Sequence, residues 1–241
     1  MKKYRDESER DPSRWIDWKE RIRMHKRILV MAAVEAEAEA VKRGLGETSI
    51  FEVQTCGVGP IAAAASTARC LARAEPSYDL VISMGIGGGF AGQAPLTSIV
   101  VSDRIIAADL GAETPEGFIP LDEMGFGQTM IEADGPARSE IVARLEQHDL
   151  PVRTGPVLTV STVTGTASST ARLLARYPDA AAEGMEGFGI AQAARDQSVP
   201  VIEIRAISNV VGPRDRDAWR IPEALQQLER VGAALKHFTV H

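Results

Sequence analysis

Residues able to do chemistry gather where apolar strands of this chain run out. Residues 201–219, VIEIRAISNVVGPRDRDAW, pass from a β-branched, alternating segment into Ser208 and Asn209, and then into a loop with Arg214, Arg216 and Trp219. Ligands of open α/β sheets sit beyond the carboxyl ends of strands, which makes Ser208 and Asn209 binding candidates. Both residue types also begin turns through local side-chain hydrogen bonds, so a purely structural part stays open. Glu186, in GMEGFGIAQAA, stands at the edge of a small, apolar segment. A carboxylate there is costly without a partner, and this one reads as functional. Gly85, Gly87, Gly88 and Gly89 end the buried strand of DLVISMGIGGGFAG, where missing side chains let a ligand reach backbone N–H groups. Glu35, Glu37 and Glu39 follow the strand RILVMAAV in a first helical turn. The macrodipole favours acidic residues there, and Glu35 and Glu39 read as solvated charge.

Alternating strands and helices must position these groups. After RILVMAAV comes VEAEAEAVKRGLG, a helix of good formers closed by Gly44. FEVQTCG is a second strand; Gly57, Gly59 and Pro60 then open IAAAASTARCLARA, whose small side chains predict close packing on a neighbour. TSIVVSDRIIAADL follows the glycines as another strand, after a turn at Pro95. A dinucleotide fingerprint needs a helix at that point, so GIGGG is not one. GAETPEGFIPLDEMGFGQ reads as a long loop that covers a site or meets a partner. ARSEIVARLEQHDL is an amphipathic helix, GPVLTVSTV a strand, and ASSTARLLARYPDA a helix capped by Ser168 or Ser169. IPEALQQLERVGAALKHF is a terminal helix opened by Pro222.

The 241 residues suffice for one α/β domain with a sizeable core. A net charge of −6 argues against a nucleic-acid partner, because phosphate binding needs clustered cations. Two cysteines, Cys56 and Cys70, make neither a disulfide framework nor a metal site, and fit a reducing cytoplasm. No apolar run is long enough to span a bilayer and no signal-peptide core is present, so the expectation is a cytoplasmic protein without a membrane partner. Residues 1–25 form a charged extension in which only Trp15, Ile16, Trp18 and Ile22 can pack; residues 26–241 form the domain.

The order of RILVMAAVEAEAEAV, TCGVGPIAAAAS, VISMGIGGGFAG, TSIVVSD, GMEGFGIAQAA and IRAISN resembles the purine nucleoside phosphorylase and 5'-methylthioadenosine/S-adenosylhomocysteine nucleosidase superfamily. The resemblance implies a phosphorylase/hydrolase-like three-layer α/β fold, with a central mixed, partly barrelled sheet flanked by helices. It further implies a homodimer or larger homo-oligomer and a small-molecule nucleoside substrate; the sequence itself shows no metal or organic cofactor. By position, Glu37 matches the glutamate that holds the nucleophilic water, and Gly87 and Gly88 the turn lining the water or phosphate site. Met185 and Glu186 match the pair that packs under the ribose and binds its hydroxyls, and Val163 and Thr164 the base-stacking segment. Asn209 stands where adenine-specific members have aspartate. SNVVGPRDRDAW is similar to a branch that removes hypoxanthine from a nucleoside bearing an aryl carboxylate on its 5' side.

Asn209 can donate to a purine carbonyl and accept from a protonated N7, which points to a 6-oxopurine leaving group. Water is a better nucleophile than phosphate beside Glu37, since the glycines have no basic neighbour in sequence. Arg214, Arg216 or Arg220 could meet the aryl carboxylate, with Trp219 or Phe118 as stacking surface, and Asp215 or Asp217 could supply a proton. An adenine-releasing nucleosidase, a phosphorylase and a non-catalytic nucleoside-binding module are the competing readings.

Overall fold

The computed structural model describes residues 26–75, 77–238 and 240; the charged extension expected over residues 1–25 lies outside them. The first strand, β1 (Ile28–Ala32), is ILVMA and buried at every position. A strand covered on both faces has no solvent side to mark with polar residues, which is why it reads as a continuous apolar run. It lies between β2 (Phe51–Thr55) and β3 (Leu80–Gly89), parallel to both.

From β3 the sheet continues into a ring. β9 (Ala182–Gly184) and β10 (Val201–Val210) both pair with β3, and β8 (Val152–Thr159) and β4 (Ile99–Ala107) complete the path β10-β4-β8-β9-β3, so five strands close on themselves. The sheet is mixed: β10 runs parallel to β3 but antiparallel to β4, and β9 runs antiparallel to β3. β7 (Met130–Glu132) adds to the edge of β4. The segment expected to be a long loop instead holds a hairpin, β5 (Gly111–Thr114) and β6 (Gly117–Pro120). Thr-Pro-Glu-Gly at its tip is turn chemistry, with proline presetting the second position and glycine the fourth.

Six described helices flank the sheet: α1 (Glu35–Leu45), α2 (Pro60–Arg73), α3 (Gly135–Gln147), α4 (Ala167–Arg176), α5 (Gly187–Asp196) and α6 (Ile221–Leu235). α1 packs on α6 and α2 on α5. Gly44 does not close α1, which runs to Leu45 and is capped by Gly46 at φ 62°. Its role is packing: a Cβ on Gly44 would lie 1.9 Å from the Glu229 carbonyl oxygen of α6, and one on Gly232 would lie 2.7 Å from that of Val41. The small residues of α2 serve the same end against α5, where a Cβ on Gly189 would meet the Pro60 carbonyl at 2.1 Å. α4 is capped by Thr166, whose hydroxyl accepts from the Ser169 N–H at 3.1 Å, and not by Ser168 or Ser169. No described helix is long and apolar enough to cross a membrane.

Candidate active site

The ends of β1, β3, β9 and β10 meet around a cavity of about 260 Å³. Where β1 stops, Ala33 and Val34 lead into α1, and Glu37 falls in its first turn. Glu37 Oε2 accepts from the N–H groups of Ala33 (2.9 Å) and Val34 (3.3 Å), while Oε1 accepts from Ile86 N–H at 2.8 Å. One carboxylate thus satisfies donors left over at the helix start and ties α1 to β3. Glu37 is only 4% exposed, unlike Glu35 and Glu39, which pair with Lys42 on the outer face. Burial raises the pKa of Glu37, and the opposing pull of Arg205 and the N–H groups does not cancel it.

Arg205, on β10, is the cation buried behind the cavity wall and was not singled out by its sequence. Its Nε donates to Glu203 Oε1 at 2.7 Å, its Nη1 lies 3.2 Å from Glu186 Oε2, and Nη1 also donates to the Ile86 carbonyl at 3.1 Å. Burial works against its charge, and the carboxylates of Glu203, Glu186 and Glu37 more than offset that, so Arg205 stays protonated. The available signal was the pair Glu203 and Arg205, two residues apart and hence on one face of an otherwise apolar strand. Glu186 is also fixed from the backbone, by Gly59 N–H (3.2 Å) on Oε1 and Met185 N–H (3.3 Å) on Oε2.

The glycines Gly85, Gly87, Gly88 and Gly89 belong to β3 itself and form no turn. Part of the reason for their size is this cluster. A Cβ on Gly85 would lie 2.8 Å from Glu37 Oε1 and 2.9 Å from Arg205 Nη1, and one on Gly87 would lie 2.6 Å from the Glu183 carbonyl.

Ser208 and Asn209 are strand residues and do not begin a turn. The β3–β10 register slips between Ile207 and Asn209, leaving Ser208 as the extra residue of a bulge. The bulge brings Asn209 to the cavity wall, with its Oδ1 2.9 Å from the Ser208 hydroxyl and its Nδ2 donating to the Val210 carbonyl at 3.2 Å. Beside it stands Glu183, 3% exposed, which the sequence reading also passed over. Its Oε1 accepts from Thr164 N–H at 3.1 Å; its Oε2 is buried without a hydrogen-bond partner. Burial raises its pKa, and no cation opposes the shift.

Residues 211–220 fold back over this end, through Arg220 N–H on the Ser208 carbonyl (2.7 Å) and Arg214 N–H on that of Gly165 (3.3 Å). The guanidinium groups of Arg214 and Arg216 sit 5.3 and 5.9 Å from the Trp219 ring centroid. Val163, Asn209 and Trp219 separate the inner cavity from an outer one of about 190 Å³ that Thr164, Arg214 and Asp215 line. The inner cavity therefore brings together Glu37, Gly87, Gly88, Val163, Met185, Glu186, Ser208 and Asn209. Thr164 and Arg214 border the outer one, while Arg216 and Asp217 line neither. Phe118 lies elsewhere, on the hairpin under Arg176 at 4.2 Å, so as a stacking surface for the same cavity it is replaced by Trp219. Among the described residues no group of three His, Cys, Asp or Glu side chains is arranged to hold a metal ion.

A ring of five strands with carboxylates and an amide at its open end is the architecture of a nucleoside-cleaving enzyme fold, and the sequence model of the phosphorylase superfamily matches residues 27–241. The chain belongs to that superfamily. Within it, the chain is 48% identical over 219 residues to futalosine hydrolase of Streptomyces coelicolor, covering 83% of this chain and 91% of that protein. It is 44% identical over 220 residues to futalosine hydrolase of Acidothermus cellulolyticus, covering 86% and 89%. The native structure of futalosine hydrolase of Helicobacter pylori has the same fold, with a TM-score of 0.76 at 15% identity over 88% of this chain and 98% of that one.

Proposed function

We propose that this chain hydrolyses the N-glycosidic bond of futalosine, releasing hypoxanthine and dehypoxanthinylfutalosine, a step of the futalosine route to menaquinone. The observation that carries the reading is one cavity lined by the buried carboxylates Glu37 and Glu186 and the amide of Asn209, with no cationic side chain among its described lining residues. Phosphate would need convergent cations, and Arg205 is already engaged by Glu186 and Glu203. Water needs only a carboxylate able to orient it and take its proton.

Cleavage builds positive charge on the ribose and negative charge on the departing purine, and both must be stabilised. Glu37, held from its far side by backbone N–H groups, takes the proton of a water lying along Gly87 and Gly88 and aimed at C1'. Glu186 binds the ribose hydroxyls, and its charge favours the cationic sugar, with Met185 packed beneath the ring. Val163 flanks the base, and Thr164 follows it toward the outer cavity. Asn209 donates its amide N–H to the 6-carbonyl and accepts from a protonated N7, a pattern hypoxanthine matches and adenine does not. The outer cavity takes the 5' aryl carboxylate, with Arg214 as the cation and Trp219 as the apolar wall.

The reaction belongs in the cytoplasm and in a homodimer or larger homo-oligomer. Support for assembly comes from Val58 and Ile61, 57% and 86% exposed at the start of α2, an unusual amount of apolar surface beside a site. The Asn209→Asp variant tests base recognition. An ionised acceptor facing the 6-carbonyl costs about 1–3 kcal/mol, so kcat/KM for futalosine should fall roughly ten- to a hundredfold while the ratio of methylthioadenosine to futalosine cleavage rises. An unchanged ratio would refute the part given to Asn209.

A further inference from the structure

Three buried carboxylates, Glu37, Glu183 and Glu186, line one cavity, and a fourth, Glu203, is buried behind it against Arg205. Arg205 contacts Glu186 and Glu203 and acts electrostatically on Glu37. Glu183 has no such partner. Its surroundings consist of Thr164, which favours the carboxylate through its side chain and its N–H, Asn209 across Gly88, and the cavity itself. The empty side-chain position of Gly88 is flanked on both sides: a Cβ there would lie 3.2 Å from Asn209 Nδ2 and 3.3 Å from Glu183 Cγ. The amide that reads the purine and the unpaired carboxyl thus share one corner of the cavity, beside the segment that flanks the base.

A buried carboxyl without a cation favours its neutral form. With Oε1 occupied as an acceptor, the neutral form carries its proton on Oε2, the oxygen that lacks a partner. Oε2 has no exposed surface of its own, so its O–H reaches a purine ring nitrogen, an acceptor, through a turn of the carboxyl into the cavity that Glu183 lines. The chemistry leaves that function open, because an asparagine amide has no proton to give at neutral pH.

We infer that Glu183 is the general acid of the reaction, delivering the Oε2 proton to the ring of the departing 6-oxopurine. The inference rests on the proposed nucleosidase activity and adds the source of its second proton. As C1'–N9 breaks, the bonding pair moves into the purine and N7 takes the proton from Glu183. Water supplies the new C1'–O bond and its proton goes to Glu37. The proton gained by Glu37 and the one lost by Glu183 balance, and exchange with solvent restores both groups.

The test is the isosteric Glu183→Gln variant assayed on futalosine and on N7-methylfutalosine, whose base is already cationic and leaves without a proton. Glutamine keeps an oxygen for Thr164 N–H, and circular dichroism and the thermal midpoint check that the variant folds. The expected result is a loss of about a hundred- to ten-thousandfold in kcat on futalosine, with the N7-methyl substrate cleaved within a few-fold of the unaltered protein. Equal losses on both substrates, or no loss on futalosine, would overturn the assignment. The unaltered protein reports separately on the futalosine reading. If it leaves futalosine intact, that reading fails, and the same pair of substrates is made from the nucleoside it does cleave.

Discussion

One arginine organises the charged residues of the site. Arg205 compensates three carboxylates in a space from which water is largely excluded, and what each carboxylate can do depends on its share of that charge. Glu37 makes no ion pair with Arg205, yet that charge is the strongest pull on it, followed by the backbone N–H groups, and burial still leaves its pKa above the ordinary 4.5. In the proposed role of base it must be ionised. Activity should therefore fall as pH drops through that raised value, giving an acid limb of kcat/KM above pH 4.5, and fall again on the alkaline side where Glu183 loses its proton. In Glu37→Gln kcat should drop by about a hundred- to ten-thousandfold with a smaller change in KM, and the acid limb should vanish from the residual activity. Full activity in that variant would remove Glu37 from the mechanism. At this scale Glu37, Glu186 and Asn209 could be found from the chain alone, because motif order picks them out. Arg205, Glu203 and Glu183 could not, since a charge within a strand acquires its meaning only from partners on other strands.

The elements set these groups by small local devices. A one-residue bulge at Ser208 brings Asn209 to the cavity, and in the first turn of α1 the carboxylate proposed as the base also closes a helix start. Helix packing is set with the same economy of atoms: α1 and α6 approach until glycine alone fits at Gly44 and Gly232. In Gly44→Ala the new methyl meets the Glu229 carbonyl, and overpacking of this kind costs about 1–3 kcal/mol. The thermal midpoint should fall by several degrees while turnover per folded molecule stays as it was, since Gly44 lies away from the cavity. An unchanged midpoint would mean that the helices separate freely. Alternation and apolar runs made the strands and helices legible. Pro115 and Gly117 carried the hairpin signal within what reads as an acidic loop, and Gly44 mimicked a helix stop because helix ends and helix contacts both select glycine.

At the scale of the molecule, closure of five strands into a ring is what brings β1, β3, β9 and β10 to one point. Periodicity along the chain cannot reveal closure, because the β3–β10 pairing joins segments more than a hundred residues apart. The order of motifs across the chain implied it, and the fold bears it out. The same arrangement sets two cavities in series, an inner one with Glu37, Glu186 and Asn209 and an outer one with Arg214, divided by Trp219. A nucleoside with a bulky, anionic 5' substituent fits that sequence of surfaces, and a 6-oxopurine fits Asn209. The most direct measurement is product analysis of the purified protein given futalosine, inosine and methylthioadenosine separately, in buffer without phosphate. Hypoxanthine released from futalosine, at a rate that added phosphate does not change, is the predicted result. Adenine from methylthioadenosine with futalosine left intact would contradict it.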